Sequence, residues 1–240
     1  IMNYLQLNSF KKGNDFIKFQ EGKFEVVFST AENNKSFNRN TEEGIKELEA
    51  LIDKFHGENV EYLKQIHSNK VYTYRKGSNE FKDNEGDALI TNEKKVIIGV
   101  FTADCVPVIL VDKENEAIAA IHSGWKGTYT KIARKTCEYM KEKYGCENIK
   151  VIIGPHVRQC CYEVSEDLAE KFSEEFGKEV CNGKMLNLEK CVEIQLKGIV
   201  KKENITSTRI CTYCEKEVKM HSYRQDQEKS GRLFSSIFID

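Results

Sequence analysis

Val96-Ile97-Ile98-Gly99-Val100-Phe101, Val106-Pro107-Val108-Ile109-Leu110-Val111 and Ala117-Ile118-Ala119-Ala120-Ile121 decide the reading of this chain. The three apolar runs follow one another closely, and none of them alternates with polar residues. Each therefore reads as a strand buried on both faces. Lys150-Val151-Ile152-Ile153 is a further buried strand, and Leu233 to Ile239 a terminal one. Upstream, Glu25-Val26-Val27-Phe28 and its surroundings predict paired strands within residues 1 to 40. Val60 to His67 alternates and predicts a strand that closes at His67. Thr41 is a plausible N-cap for a helix carrying Ile45, Leu48, Leu51, Ile52 and Phe55 at helical spacing. Further helices are expected over about Thr130 to Lys143, Ser165 to Phe176 and Glu189 to Lys202, and a polar loop over 75 to 86. This mixture of hairpin-like strands and helices predicts one α+β domain over residues 1–240. No GxGxxG or GxxxxGK[ST] follows any strand, so a dinucleotide or P-loop fold is not expected.

Composition narrows the function. Lys and Arg number 37 against 38 Asp and Glu, a net charge of −1 over 240 residues. A generic nucleic-acid or membrane-surface binder would carry a basic excess, so neither partner is expected. The apolar runs are too short to span a bilayer. Nine cysteines cannot all pair within one chain, and Met2 to Leu7 lacks a long apolar signal core. Reduced thiols in a cytoplasmic protein are the expectation.

Polar residues at the ends of core strands mark the candidate site. Thr102-Ala103-Asp104-Cys105 interrupts two apolar runs. His122-Ser123-Gly124-Trp125-Lys126-Gly127-Thr128 follows the third run directly, and His67 closes its own strand. Each has a structural reading: a histidine at a strand end as a hydrogen-bonded framework residue, and a buried cysteine as a small hydrophobe. Burying such groups costs a few kcal/mol each (roughly) unless something pairs them. His67, Cys105 and His122 form an N/S/N donor set of the kind Zn2+ accepts, with three protein ligands as in catalytic zinc. Asp104 would then support a ligand or carry a proton. A rival reading makes Cys105 a nucleophile and His122 its base, oriented by Asp104 or Asp87. Only the metal reading requires His67.

Other features are weaker. Cys211-Thr212-Tyr213-Cys214 is a CxxC that would need a second ligand pair for a structural zinc, with Cys181 and Cys191 as possible donors. Cys160 and Cys161 are adjacent and cannot bridge each other without strain. Cys137 and Cys146 read as packing residues. Gly124, Gly127 and Thr128, entering a helix beside Lys126, could present backbone amides to an anion. Arg224 and Arg232 offer guanidinium groups suited to phosphate. Trp125 is either a surface on which a base stacks or a core residue.

In order along the chain, Gln65-Ile66-His67-Ser68, Gly86-Asp87-Ala88, Thr102-Ala103-Asp104-Cys105-Val106-Pro107, His122-Ser123-Gly124-Trp125-Lys126-Gly127, Ile153-Gly154-Pro155, Cys161-Tyr162-Glu163-Val164, Cys211-Thr212, Ser222-Tyr223-Arg224 and Gly231-Arg232 make a set. That set resembles the laccase-domain or polyphenol-oxidase family, whose members are regarded as zinc-dependent purine nucleoside phosphorylases with adenosine deaminase activity. The resemblance implies a layered mixed-sheet sandwich with flanking helices. It also implies metal ligands at His67, Cys105 and His122, and purine nucleosides and phosphate as substrates. Adenosine, inosine, guanosine and methylthioadenosine are the implied nucleosides. Copper-dependent phenol oxidation is the alternative that the family carries. The sequence departs from the family pattern at Lys126 and Gln225, where arginine is frequent, and at His221, where an aromatic is usual. The first sixty residues also lack the family's glycine-rich pattern; only Ser36-Phe37-Asn38 is similar to it.

Overall fold

The computed structural model describes residues 3–4, 14–78 and 81–240. In chain order the elements are β1 (Asn3–Tyr4), β2 (Phe16–Glu21), β3 (Phe24–Ser29), α1 (Glu42–Lys54), β4 (Asn59–Glu61), β5 (Val71–Thr73), β6 (Ala88–Thr91), β7 (Val96–Thr102), β8 (Val106–Asp112) and β9 (Ala117–Ser123). Then follow α2 (Trp125–Tyr129), α3 (Ile132–Tyr144), β10 (Lys150–Ile153), α4 (Glu166–Phe176), β11 (Cys181–Asn182), β12 (Met185–Leu186), α5 (Leu188–Leu196), β13 (Ile205–Ser207), α6 (Tyr223–Asp226) and β14 (Leu233–Ile239).

The strands form two large sheets and a small hairpin, β11–β12. One sheet has seven strands in the order β1-β13-β10-β8-β9-β6-β5, the other five in the order β2-β3-β14-β7-β4. Successive residues of the central strands serve two different cores. Leu89, Ile109, Ile118 and Ala120 face Phe28, Ile98, Val100 and Ile237 of the other sheet. Their neighbours Ile90, Val108, Leu110 and Ala119 face α3, α4 and α5 through Ile132, Met140, Phe172 and Val192. The outer face of the five-stranded sheet is covered by α1, where Leu48, Leu51 and Phe55 meet Ile97, Phe234 and Phe238. The result is a helix–sheet–sheet–helix sandwich of the α+β class. It explains why these strands read as unbroken apolar runs: neither face meets water.

Local signals hold in detail. Thr41 caps α1, its hydroxyl accepting the Gly44 amide at 3.1 Å, a contact worth about 1 kcal/mol. The paired strands expected before residue 40 are the β2–β3 hairpin. Residues 5–13 lie outside the described part, with most of the Met2–Leu7 stretch and positions 79 and 80 of the polar loop.

Two expectations are corrected. The strand expected over Val60 to His67 is only β4, and His67 sits in a loop with φ +59°. A side chain takes the place of the ladder there: Gln65 Nε2 donates to the Phe101 carbonyl at 2.8 Å and Gln65 Oε1 accepts the Phe101 amide at 2.7 Å. The helix expected over Glu189 to Lys202 stops at Leu196, because Gly198 turns the chain at φ +83°. Ile199 and Val200 still pack on the same core, so the apolar spacing outlives the helix.

Candidate metal centre

Sheet register brings the three predicted donors together. β7 belongs to the five-stranded sheet and β8 to the seven-stranded one, so Thr102-Ala103-Asp104-Cys105 is the crossover between the stacked sheets. β8 and β9 are antiparallel, with Val106 opposite Ser123 and Pro107 opposite His122. Cys105 therefore lies beside the end of β9. Ala88 pairs with Ile121 and Val71 with Ala88, which sets Asp87 and the 66–70 loop at the same end of the sheet. Residues far apart in sequence thus meet at one sheet end. Asp104, at φ +91°, makes the turn at the crossover. Such a conformation is costly for a non-glycine residue and needs support. Thr212 Oγ1 and the Arg224 amide each donate to its carboxylate at 2.7 Å, and the Val157 amide donates to its carbonyl at 3.0 Å.

The donor atoms of His67, Cys105 and His122 all lie within 4.8 Å of one another. Cys105 Sγ is 3.9 Å from His67 Nε2, and the two imidazoles meet edge to face with centroids 4.7 Å apart. Zinc bonds of about 2.3 Å to sulfur and 2.0–2.1 Å to nitrogen, at a tetrahedral angle, set those atoms about 3.6 Å apart. The donor chemistry and spacing therefore fit a single zinc ion.

The support beneath the trio comes from Asp87, which is wholly buried. Its carboxylate accepts His122 Nδ1 at 2.8 Å, the His67 amide at 3.0 Å, the Ser68 amide at 2.6 Å and the Ser68 hydroxyl at 2.7 Å. The Asp87 carbonyl takes the His122 amide at 2.7 Å. One buried carboxylate thus fixes the loop of one histidine and the ring of the other, leaving His122 Nε2 toward the sulfur. Asp87, and not Asp104, is the carboxylate that orients His122. Burial by itself would raise the Asp87 carboxyl, but hydrogen bonds from His122 and Ser68 hold it below the usual carboxylate value. Burial would also raise the Cys105 thiol; the two imidazoles outweigh it and bring the thiol down to about 6. At His122 burial acts downward, yet the Cys105 sulfur and Asp87 raise it to about 9. Both shifts favour the thiolate form of Cys105, the form in which a cysteine binds a metal.

The trio opens onto a cavity of about 830 Å³, a size that suits a small organic ligand. Asp104, Arg224 and Arg232 line it, as do Arg39, Tyr162 and Tyr223, which sequence reasoning passed over. Tyr162 and Tyr223 stand within quoted motifs, and Arg39 directly follows Ser36-Phe37-Asn38. Arg39 is aimed by bonds to the Lys82 carbonyl at 2.7 Å and Asp83 at 2.8 Å. Arg224 lies over the Tyr162 ring, 5.0 Å from its centroid. Trp125 and Lys126 are not among the lining residues. Trp125 packs against the core beneath the helices, with Lys126 Nζ 5.5 Å from its ring. Of the amides expected to face an anion at Gly124, Gly127 and Thr128, that of Thr128 donates instead to the Gly124 carbonyl at 2.8 Å. Thr128 Oγ1 bonds Ser123, and a Cβ on Gly127 would come within 3.1 Å of the Ser68 carbonyl. The glycine serves close packing of the His67 loop.

Gly124 has the same kind of role at the trio itself. A Cβ there would lie 2.9 Å from His67 Cδ2 and 3.1 Å from Cys105 Sγ. Gly124→Ala must displace both donors by a few tenths of an ångström, comparable to the tolerance of a zinc site. Its zinc affinity should fall by about tenfold with little change in thermal stability, measured by competition with a chromophoric chelator. Unchanged affinity would show that the trio has slack.

The chain is 45% identical over 228 residues to a purine nucleoside phosphorylase of Clostridium acetobutylicum, covering 92% of this chain and 94% of that protein. It is 33% identical over 162 residues to the adenosine deaminase RL5 of an unknown prokaryotic organism, covering 63% of this chain and 62% of the other. Among solved structures, the hypothetical protein YfiH of Bacillus licheniformis superposes with a TM-score of 0.84 at 21% identity, covering 98% of each chain. Residues 19–240 match the family described as multi-copper polyphenol oxidoreductase laccase. With nearly the whole chain inside that match, and the sandwich shared with its structural neighbour, this protein belongs to the multi-copper polyphenol oxidoreductase laccase family.

Proposed function

We propose that this protein is a zinc-dependent purine nucleoside phosphorylase that also deaminates adenosine, in a single catalytic domain spanning residues 1–240. The observation that carries the reading is one cavity faced both by a His2Cys donor set and by three arginines, Arg39, Arg224 and Arg232. The names of the relatives, a purine nucleoside phosphorylase and an adenosine deaminase, support it. Adenosine, inosine, guanosine and methylthioadenosine are the proposed nucleosides.

His67, Cys105 and His122 would hold the zinc, which supplies Lewis acidity toward oxygen when bound. The arginines hold phosphate, their planar donors matching its oxygens. Tyr162 and Tyr223 offer aromatic faces to the purine. In phosphorolysis a phosphate oxygen bonds C1′ while the C1′–N9 bond breaks, and the base departs with the electron pair and gains a proton. Asp104, through the Arg224 amide, sets where the Arg224 guanidinium stands relative to that phosphate. Asp87 Oδ1 keeps the proton on His122 Nδ1, so His122 offers only its other nitrogen to the site. In deamination water replaces the amino group at C6 and ammonia leaves.

Zinc is favoured over copper oxidase chemistry by the donor count. Multi-electron oxidation needs several copper centres, each with its own ligands. Of the five histidines only two reach this site. His156 is buried against the Gly154 carbonyl and Glu189, His221 bonds the Lys35 carbonyl, and His56 lies beyond the end of α1. The proposed location is the cytoplasm, a reducing compartment in which nine cysteines would remain thiols; no described helix is long and apolar enough to cross a membrane.

The test is chromatography of nucleosides incubated with the zinc-loaded protein. Inosine should give hypoxanthine and ribose 1-phosphate only when phosphate is present, and adenosine should give inosine without phosphate. Release of neither free base nor inosine would falsify the reading. Oxygen uptake with a phenol would turn it toward the oxidase.

A further inference from the structure

The described residues hold a second cluster of metal-ligating side chains, apart from the His67 trio. Cys160, Cys161, Cys211 and Cys214 bring four sulfurs within 4.8 Å of one another. The first pair lies on the loop after β10 and the second on the loop after β13. Those strands are parallel neighbours, so the loops leave the sheet side by side. A bridge between His156 and Cys211 prolongs the pairing, with the His156 amide donating to Ile210 and the Thr212 amide to His156. The second ligand pair that the CxxC needs is therefore Cys160 and Cys161, and Cys181 and Cys191 are not part of the cluster.

The sulfur spacing fits a closed tetrahedral site. Cys160 Sγ and Cys214 Sγ are 3.7 Å apart. Four sulfurs at about 2.3 Å from one ion sit about 3.8 Å from each other, whereas a disulfide would require about 2.0 Å. Backbone amides of Arg158, Tyr213 and Cys214 are directed at Cys211 Sγ, that of Arg158 at 3.5 Å. Amides aimed at a sulfur favour the thiolate that a metal needs. Four soft thiolate donors select zinc among the common divalent ions and leave no coordination position for a substrate.

We propose that Cys160, Cys161, Cys211 and Cys214 hold a structural Zn2+ that clamps together two loops, one carrying a residue that lines the cavity and the other a residue that supports its rim. Cys161 immediately precedes Tyr162, which lines that cavity beneath Arg224. Cys211 immediately precedes Thr212, whose hydroxyl supports Asp104. The four cysteines are positioning residues that touch no substrate, and the proposal does not depend on which reaction the cavity performs.

The experiment is metal counting on the full chain, purified under a phosphine reductant and loaded with zinc, followed by cobalt substitution. Wild type should hold two equivalents, and Cys160→Ser/Cys214→Ser one. His67→Ala/Cys105→Ala removes the only thiolate of the other site. Its single remaining cobalt should still show the intense thiolate charge-transfer and visible absorption of a tetrahedral tetrathiolate centre. This second variant keeps the test decisive if the serine variant fails to fold. A metal count that the serine variant does not lower by one, or a His67→Ala/Cys105→Ala protein without that absorption, would each overturn the proposal. Loss of the His67 site alone would leave it standing.

Discussion

His67→Ala should remove one equivalent of metal and lower nucleoside phosphorolysis at least about a hundredfold. Altering only the hydrogen-bond partner of a metal-bound histidine typically costs 10–100-fold, and losing the ligand itself cannot cost less. The variant separates the two chemistries open to Cys105. A cysteine nucleophile with His122 as base and Asp87 behind it would form a complete triad without His67, and would keep most of its rate. The metal site would not. The substitution is structurally mild: the His67 side chain is exposed, and the bond it makes to Asp87 comes from its backbone amide. Melting of the metal-free variant should therefore match that of metal-free wild type. Metal content by mass spectrometry and base release by chromatography check the result. A variant that keeps its ion, or more than about a tenth of its rate, would return the site to the nucleophile.

Asp87→Ala should be the most damaging single change for stability and site together. The carboxylate is the common acceptor for amides of the 66–68 loop, the Ser68 hydroxyl and the His122 ring. Removing it leaves several buried donors unpaired, each costing about 1–3 kcal/mol when no water enters. Breaking one buried charged pair costs about 3–5 kcal/mol, and that is the loss expected here. Asp87→Asn keeps the volume and one acceptor oxygen, so it should fold better yet still bind zinc about 10–100-fold more weakly. Acidification gives a third readout. The Asp87 carboxyl is held below its ordinary value, so its contribution to stability is full above the usual carboxylate range. It is lost only as pH falls through the lower folded value. Wild type should shed this increment in acid, and Asp87→Asn should have none to shed. An alanine variant with unchanged melting and metal affinity would make the carboxylate a bystander.

Much of this architecture is legible in the sequence because the central strands are buried on both faces. Between Val96 and Ile121 the apolar runs break only at Thr102–Cys105 and at the polar turn Asp112–Glu116, and Asp104, Cys105 and His122 interrupt or end them where the backbone leaves a strand. The assignment of β7 and β8 to different sheets is not legible. Hydropathy records that a face is buried and not against what. His67 is found as a polar residue beside an apolar segment, but its placement at a strand end fails. Gln65 imitates a ladder with its side-chain amide, and periodicity does not see side-chain bonds. The pairing of Cys160 and Cys161 with Cys211 and Cys214 depends on β10 and β13 being parallel neighbours, a relation between strands about fifty residues apart. Arg39 is legible only once α1 has packed on the sheet and brought the preceding loop over the cavity. Arg39 thus escapes notice for a physical reason: a guanidinium on a loop looks the same in sequence whether it faces solvent or a cavity.

β14 lies between β3 and β7 and is antiparallel to both, with Ser236 opposite Val27 on one side and Gly99 on the other. The two halves of the five-stranded sheet share no ladder until this strand arrives, and its partners lie more than a hundred residues earlier. Such distant pairing is slow to form. During synthesis, His67, Asp87, Cys105 and His122 leave the ribosome well before it, whereas Arg232 stands next to its first residue. A nascent chain could thus gather its ligand trio while its cavity is still open on the arginine side. The two unpaired edges of that intermediate would be its most adhesive surfaces. Insertion of the last strand closes those edges and brings in Arg232 in one event, so solubility and a complete arginine wall of the cavity are acquired together.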